Sequence, residues 1–148
     1  TLFPYTTLFR STVALRLHFA DSELAGVQAS PASHGGAGWQ LRWAAAAVVA
    51  PARHPGDRPR QGHLRGLLLD LWPAPAPGVG AAELPLGALL DGELQWQGQR
   101  LRQLPLPARL EGPLSLRLWG RRGELWTWQG QGLCCDPTGL PFFESMAC

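Results

Sequence analysis

The chain contains no lysine, no isoleucine and no asparagine, although it is 148 residues long. All of its basic side chains are therefore arginine, 13 of them against 11 acidic residues, which gives a formal net charge of +2. Because lysine, isoleucine and asparagine are encoded by AT-rich codons, this bias indicates a GC-rich, bacterial genome. A net charge this small does not indicate a nucleic-acid partner, since such binders usually carry a clustered basic face.

Cysteine is also scarce, and Cys134, Cys135 and Cys148 do not form a zinc-binding pattern. We expect reduced thiols, with a bridge from Cys134 or Cys135 to Cys148 as the alternative. No apolar run approaches the ~20 residues that a membrane-spanning helix needs. Catalytic signatures such as G-x-S-x-G, the P-loop and H-E-x-x-H are absent as well. The sequence therefore predicts no cofactor, no metal site and no membrane span.

The first eleven residues differ in composition from the rest of the chain. The segment Thr1–Ser11, TLFPYTTLFRS, holds the only tyrosine and is followed by a region rich in alanine, leucine, arginine and glycine. It resembles the translated sequencing-adaptor read-through found at the ends of some metagenome-derived proteins. We therefore interpret 1–11 as a non-native leader and 12–148 as a single β domain. The expected location is cytoplasmic by default, and a secreted or periplasmic location stays open.

The body of the chain consists of short alternating segments separated by glycine, proline and polar turn residues. Thr12–Phe19 and Trp39–Trp43 alternate apolar and polar side chains, and Ala20–Glu23 between them is interpreted as a turn. His63–Trp72 is predicted to be one central strand that is apolar on both faces. Eight or nine such strands predict an antiparallel β-sandwich or small barrel. The one short helix that we expect covers Gly87–Asp91.

The clearest hairpin is Gly112–Gly132, in which two alternating strands flank the sequence Gly-Arg-Arg-Gly. We interpret Gly120–Gly123 as a four-residue loop. A loop of this length pairs Trp119 with Glu124, Arg117 with Trp126 and Ser115 with Trp128. One face of the hairpin then carries leucine, and the other carries tryptophan and arginine.

The face that bears tryptophan and arginine is the candidate binding surface. The leucines of the opposite face already supply core packing, so we expect these tryptophans to face outward. Tryptophan and arginine anchor many protein interfaces, which favours a non-enzymatic module for protein interaction or self-association. The candidate binding residues are Arg117, Trp119, Arg121, Arg122, Trp126 and Trp128.

Four alternatives stay open for this surface and this chain. In a purely structural role, a further layer covers the face and Arg117 stacks on Trp126. The tryptophans could instead form a platform for sugar rings, as in carbohydrate-binding β-sandwiches, or stack on the bases of single-stranded nucleic acid. The chain could also be an enzyme with a site on its strands, and the candidate acid/base cluster is His18, Asp21, Glu23 and His63.

Overall fold

The structure is a computed structural model that describes residues 14–30, 38–72 and 87–145, and its regular elements are all β-strands. The predicted all-β class is therefore confirmed. The described residues contain no helix, so the helical turn expected over Gly87–Asp91 is wrong, and these residues open a strand instead. The strands are β1 (Leu15–Ser30), β2 (Gly38–Ala50), β3 (Arg60–Leu64), β4 (Leu67–Trp72), β5 (Gly87–Trp96), β6 (Gln99–Leu101), β7 (Gln103–Leu106), β8 (Ala108–Gly120), β9 (Leu125–Cys135) and β10 (Phe142–Glu144).

Six of these strands close into a barrel. Antiparallel pairing follows the ring from β1 to β2, β4, β9, β8 and β5, and β5 pairs with β1 again. The other strands extend this ring, since β3 and β10 continue outward from β2, β7 pairs with β1, and β6 pairs with β5. Of the two predicted architectures, the structure is therefore the small barrel. It has ten strands in the described residues rather than eight or nine.

A bulge in β1 replaces the turn predicted at Ala20–Glu23. Asp21 has a φ of 65°, and this turns the next side chain, Ser22, into the barrel wall, where it is fully buried. The Ser22 hydroxyl donates to the His18 carbonyl oxygen at 2.6 Å and accepts the Ala47 N–H at 2.9 Å. The hydroxyl thus supplies the hydrogen bonds that the bulge interrupts, and β1 continues as one bent strand.

The segment His63–Trp72 is likewise not the single central strand that the sequence predicts. Gly66 has a φ of 76°, and its N–H donates to the Trp43 carbonyl oxygen at 3.0 Å, so that β3 ends before β4 begins. Beyond this break Leu67 is fully buried, whereas its neighbour Leu68 is 40% exposed. The strand β4 therefore has one face in the core and one face toward the surface.

The barrel interior is packed tightly against the backbone of β5. The rings of Phe19 and Trp43 lie with their centroids 6.3 Å apart inside it. A Cβ placed on Gly92 would lie 2.5 Å from the Phe19 Cβ and 2.8 Å from a methyl carbon of Leu118. A side chain at position 92 is accommodated only if the neighbouring backbone shifts, because the Phe19 Cβ and the Leu118 methyl carbon already occupy that space.

Candidate functional site

The β8–β9 hairpin is one residue out of the register that the sequence predicts. Its loop has three residues, Arg121, Arg122 and Gly123, enclosed by a hydrogen bond from the Gly120 N–H to the Glu124 carbonyl oxygen at 2.9 Å. Gly123 has a φ of 87° and donates its N–H to the Gly120 carbonyl oxygen at 3.1 Å. Three-residue hairpin loops commonly end on a glycine in this left-handed conformation. The predicted four-residue loop is therefore wrong.

A slip of one residue exchanges the two faces of a strand. Trp126 pairs with Leu118 and Trp128 with Leu116, and the two tryptophans are 6% and 2% exposed. Both rings therefore belong to the core, and the prediction that they face outward is wrong. The same slip turns Leu125 to the surface, where 47% of its area is exposed.

The outward face of the hairpin still carries part of the predicted site. Trp119 is half-buried and pairs with Leu125 on one side and with Asp91 of β5 on the other. An irregularity in β5 leaves Leu90 without a paired residue on β8, next to the Asp91 that pairs with Trp119, and Leu90 is 59% exposed. Arg117 lies one row further along β8, and two exposed arginines form the loop. We name this surface the hairpin patch, and its residues are Leu90, Arg117, Trp119, Arg121, Arg122 and Leu125.

Trp126 and Trp128 thus have the structural role that one alternative gave them, although as core residues rather than beneath a further layer. The stacking of Arg117 on Trp126 that this alternative included is wrong. The Arg117 side chain lies on the outer face of the hairpin, whereas the Trp126 side chain lies on the inner face. The two side chains therefore do not stack. The two exposed leucines of the patch were not among the candidate residues. The exposure of Leu125 could have been predicted from the glycine that ends the loop, because this glycine is typical of a three-residue loop and so sets the register. The local sequence gives no such signal for the irregularity in β5 that exposes Leu90.

A buried carboxylate pairs with Arg117, one of the three arginines of the hairpin patch. Glu93 lies on the outer face of β5, yet its side chain is only 7% exposed. Arg100 Nε lies 3.4 Å from one carboxylate oxygen of Glu93, and Arg117 Nη1 lies 3.8 Å from the other. The guanidinium groups of Arg121 and Arg122 form no ion pair within the described residues. The Glu124 carboxylate accepts the Arg122 backbone N–H at 2.8 Å at the end of the same loop, so it offsets one of these two charges and leaves a net charge of +1.

Three of the four predicted acid/base residues do come together. His18 and His63 lie on either side of Ala47 in the sheet and line a pocket of about 290 Å³ with Asp21. Glu23 does not line it. Among residues 14–30, 38–72 and 87–145, no three histidine, cysteine, aspartate or glutamate side chains are placed to hold a metal ion.

The two neighbouring cysteines of β9 are free thiols that face opposite sides of the barrel wall. Burial raises the pKa of the partly exposed Cys134, and the guanidinium of Arg109 opposes that rise. Burial raises the pKa of Cys135 much further, because this side chain is inside the core. Cys148, the other end of the predicted alternative bridge, lies outside the described residues.

These environments predict unequal alkylation of the two thiols. Iodoacetamide reacts with the thiolate, so at neutral pH we expect slow labelling of Cys134 and no labelling of Cys135 in the folded protein. After unfolding in urea, both residues should react. Fragment-ion mass spectrometry of the labelled peptide locates each adduct. Equal labelling of the two residues in the folded protein would contradict the burial of Cys135.

Comparison with protein families, with characterised proteins and with solved structures found no match to this chain. The class of this protein is therefore defined by its fold alone. It is an all-β chain in which additional strands extend a closed six-stranded barrel. In the part of the chain that the structure describes, no helix is long and apolar enough to cross a membrane.

Proposed function

We propose that the protein is a non-enzymatic interaction module that binds another protein, or a second copy of itself, through the hairpin patch. The observation that carries this proposal is the pairing of the half-buried Trp119 with the exposed Leu125, while the exposed Leu90 adjoins the β5 residue that pairs with Trp119. Contiguous exposed apolar side chains with a polar rim are typical of protein-binding surfaces. Tryptophan and arginine are the residue types most enriched among the side chains that dominate binding energy.

The strand backbone that carries the hairpin patch favours binding, because little conformational entropy is lost when a partner binds. Trp119 and Leu125 are held by the backbone pairing of β8 and β9, and Arg117 is held by the buried Glu93. A side chain that is already fixed loses less conformational entropy when a partner covers it. The backbone of the patch is thus preorganised, and one of its arginines is paired with a buried carboxylate.

The charge of the patch indicates the chemistry of its partner. Arg117 is already paired with Glu93, but Arg121 and Arg122 are exposed beside the apolar centre. A partner that places carboxylates opposite the loop and apolar side chains opposite Trp119 is complementary to it. In a symmetric dimer, the apolar centre would pack against its own copy across a twofold axis.

Replacing Leu125 by glutamate tests the patch. A carboxylate at the centre of the interface would be desolvated on binding, so we expect Leu125→Glu to weaken association at least about tenfold. Sedimentation velocity over a range of concentrations measures self-association. Chemical crosslinking measures the capture of other proteins by the parent chain. Leu68→Glu is the matched control, because Leu68 is similarly exposed but lies on β4.

The proposal predicts loss of association in Leu125→Glu and normal association in Leu68→Glu. A parent chain that stays monomeric at millimolar concentration would exclude the self-association form. Crosslinked partners that Leu125→Glu captures as well as the parent does would exclude the hairpin patch as their binding surface.

A further inference from the structure

A second surface feature is a polar groove of about 380 Å³ beside the turn between β5 and β6. The groove lies on the same sheet as the hairpin patch, four residues along β8 from Trp119. Gln95, Ser115 and Gln129 lie opposite one another on β5, β8 and β9, and this row forms one side of it. The polar residues that line the groove are Gln95, Gln97, Gln99, Arg100, Ser115 and Gln129.

The groove has a rigid frame. Gln97 and Gly98 have φ values of 51° and 74°, which is the backbone of a tight two-residue hairpin turn. Next to this turn, the Trp96 indole N–H donates to the Glu111 carbonyl oxygen at 2.9 Å, which ties the end of β5 to β8. The carboxamides around the turn are therefore presented from fixed backbone positions.

These carboxamides are not used by the fold. Within the described residues, the side chains of Gln95, Gln97 and Gln99 form no hydrogen bond. The Gln129 Nε2 reaches the Ser115 hydroxyl only at 3.5 Å, the outer limit of a hydrogen bond. The groove thus holds a group of amide donors and acceptors that are available to a ligand.

Two other glutamines of the same barrel are paired within the fold. Gln28 Nε2 donates to the Gln40 side-chain oxygen at 2.8 Å, and Gln40 Nε2 donates to the Asp70 carboxylate at 3.0 Å. That chain of bonds satisfies the amides across three strands without any ligand. Outside the groove, the exposed glutamines Gln61, Gln103 and Gln131 also form no side-chain hydrogen bond within the described residues. The groove differs from them because it gathers several such carboxamides around one concave surface.

The side chains that line the groove indicate the chemical class of its ligand. A carboxamide offers two donors and one acceptor and carries no charge, so it matches hydroxyl groups that both donate and accept. No carboxylate lines the groove, and the guanidinium of Arg100 is already paired with Glu93. The volume lies at the small end of ligand pockets, roughly 300–1,000 Å³. We propose that this groove binds a neutral hexose oligosaccharide, independently of the hairpin patch.

The test uses the whole chain and an array of neutral α- and β-linked hexose oligosaccharides. We expect at least one member to bind, and its Kd is then measured by calorimetry. Gln95→Ala and Gln129→Ala each remove hydrogen bonds to the sugar, so each should weaken binding about tenfold. Gln103→Ala is the matched control, since Gln103 is an exposed glutamine on β7 outside the groove.

Chemical shifts of the glutamine side-chain amides give a second readout that does not depend on stability. On addition of the bound sugar, the amide signals of Gln95 and Gln129 should move, while that of Gln103 stays in place. The hairpin variant Leu125→Glu should bind the sugar as the parent does. No binding across the array, equal binding by the two groove variants, or binding of a glycine-rich peptide in place of sugar would each overturn the proposal.

Discussion

Trp128→Ala is expected to lower the free energy of unfolding by about 3–5 kcal/mol. The indole of Trp128 is almost completely buried and lies opposite Leu116 on the inner face of the β8–β9 hairpin. Truncation removes this buried apolar area and leaves a cavity that rigid barrel strands cannot close. Urea unfolding followed by circular dichroism measures the change, because tryptophan fluorescence would itself be altered by the substitution.

Leu125→Ala is the control for that measurement. Leu125 lies on the same strand but on the outer face, and its replacement should change stability by no more than about 0.5 kcal/mol. The register seen in the structure therefore predicts a large effect at position 128 and a small effect at position 125. A reversed order of the two effects would show that the tryptophans of β9 face outward after all.

Gly92→Ala is expected to destabilise the barrel by about 1–3 kcal/mol, although it adds only one methyl group. The new Cβ would lie 2.5 Å from the Phe19 Cβ and 2.8 Å from a Leu118 methyl carbon. Rotation of the phenylalanine ring does not relieve a contact with its Cβ, so the backbone of β1 or β5 has to move. Because β5 is the strand that closes the ring onto β1, the shift affects the closure of the barrel.

Gly26→Ala is the control, and for it we expect the opposite change in the free energy of unfolding. A Cβ on Gly26 would meet only the end of the Arg42 side chain, at 3.9 Å. The substitution should therefore raise stability by about 0.4–1 kcal/mol through the lower entropy of the unfolded chain. The same unfolding experiment measures both variants. A neutral Gly92→Ala would mean that the barrel interior is looser at this position than the structure shows.

The class of fold could be predicted from the sequence because it depends on alternation alone. Leu15, Leu17 and Phe19 alternate with polar residues, and all three are buried as this pattern predicts. The points at which strands bend could not be predicted in the same way. A bulge at Asp21 and a break at Gly66 depend on the pairing with β2, and local sequence shows only a polar residue and a glycine there.

In the candidate site, the length of a single loop determines which residues of β9 face the core and which face the surface. Arg-Arg-Gly between Gly120 and Glu124 is one residue shorter than the predicted loop, and this difference moves two of the predicted tryptophans into the core. Trp119 and Arg117 precede the loop, so their face did not depend on its length. The residues on the far side of the loop exchanged faces, and Leu125 replaced the tryptophans on the surface.

The proposed function depends most directly on this register, and nuclear Overhauser contacts across the hairpin measure it. The structure predicts backbone contacts between Leu118 and Trp126 and between Leu116 and Trp128, which leave Trp119 and Leu125 together on the outer face. Contacts between Arg117 and Trp126 and between Ser115 and Trp128 would contradict it. They would return both tryptophans to the surface and remove Leu125 from the hairpin patch.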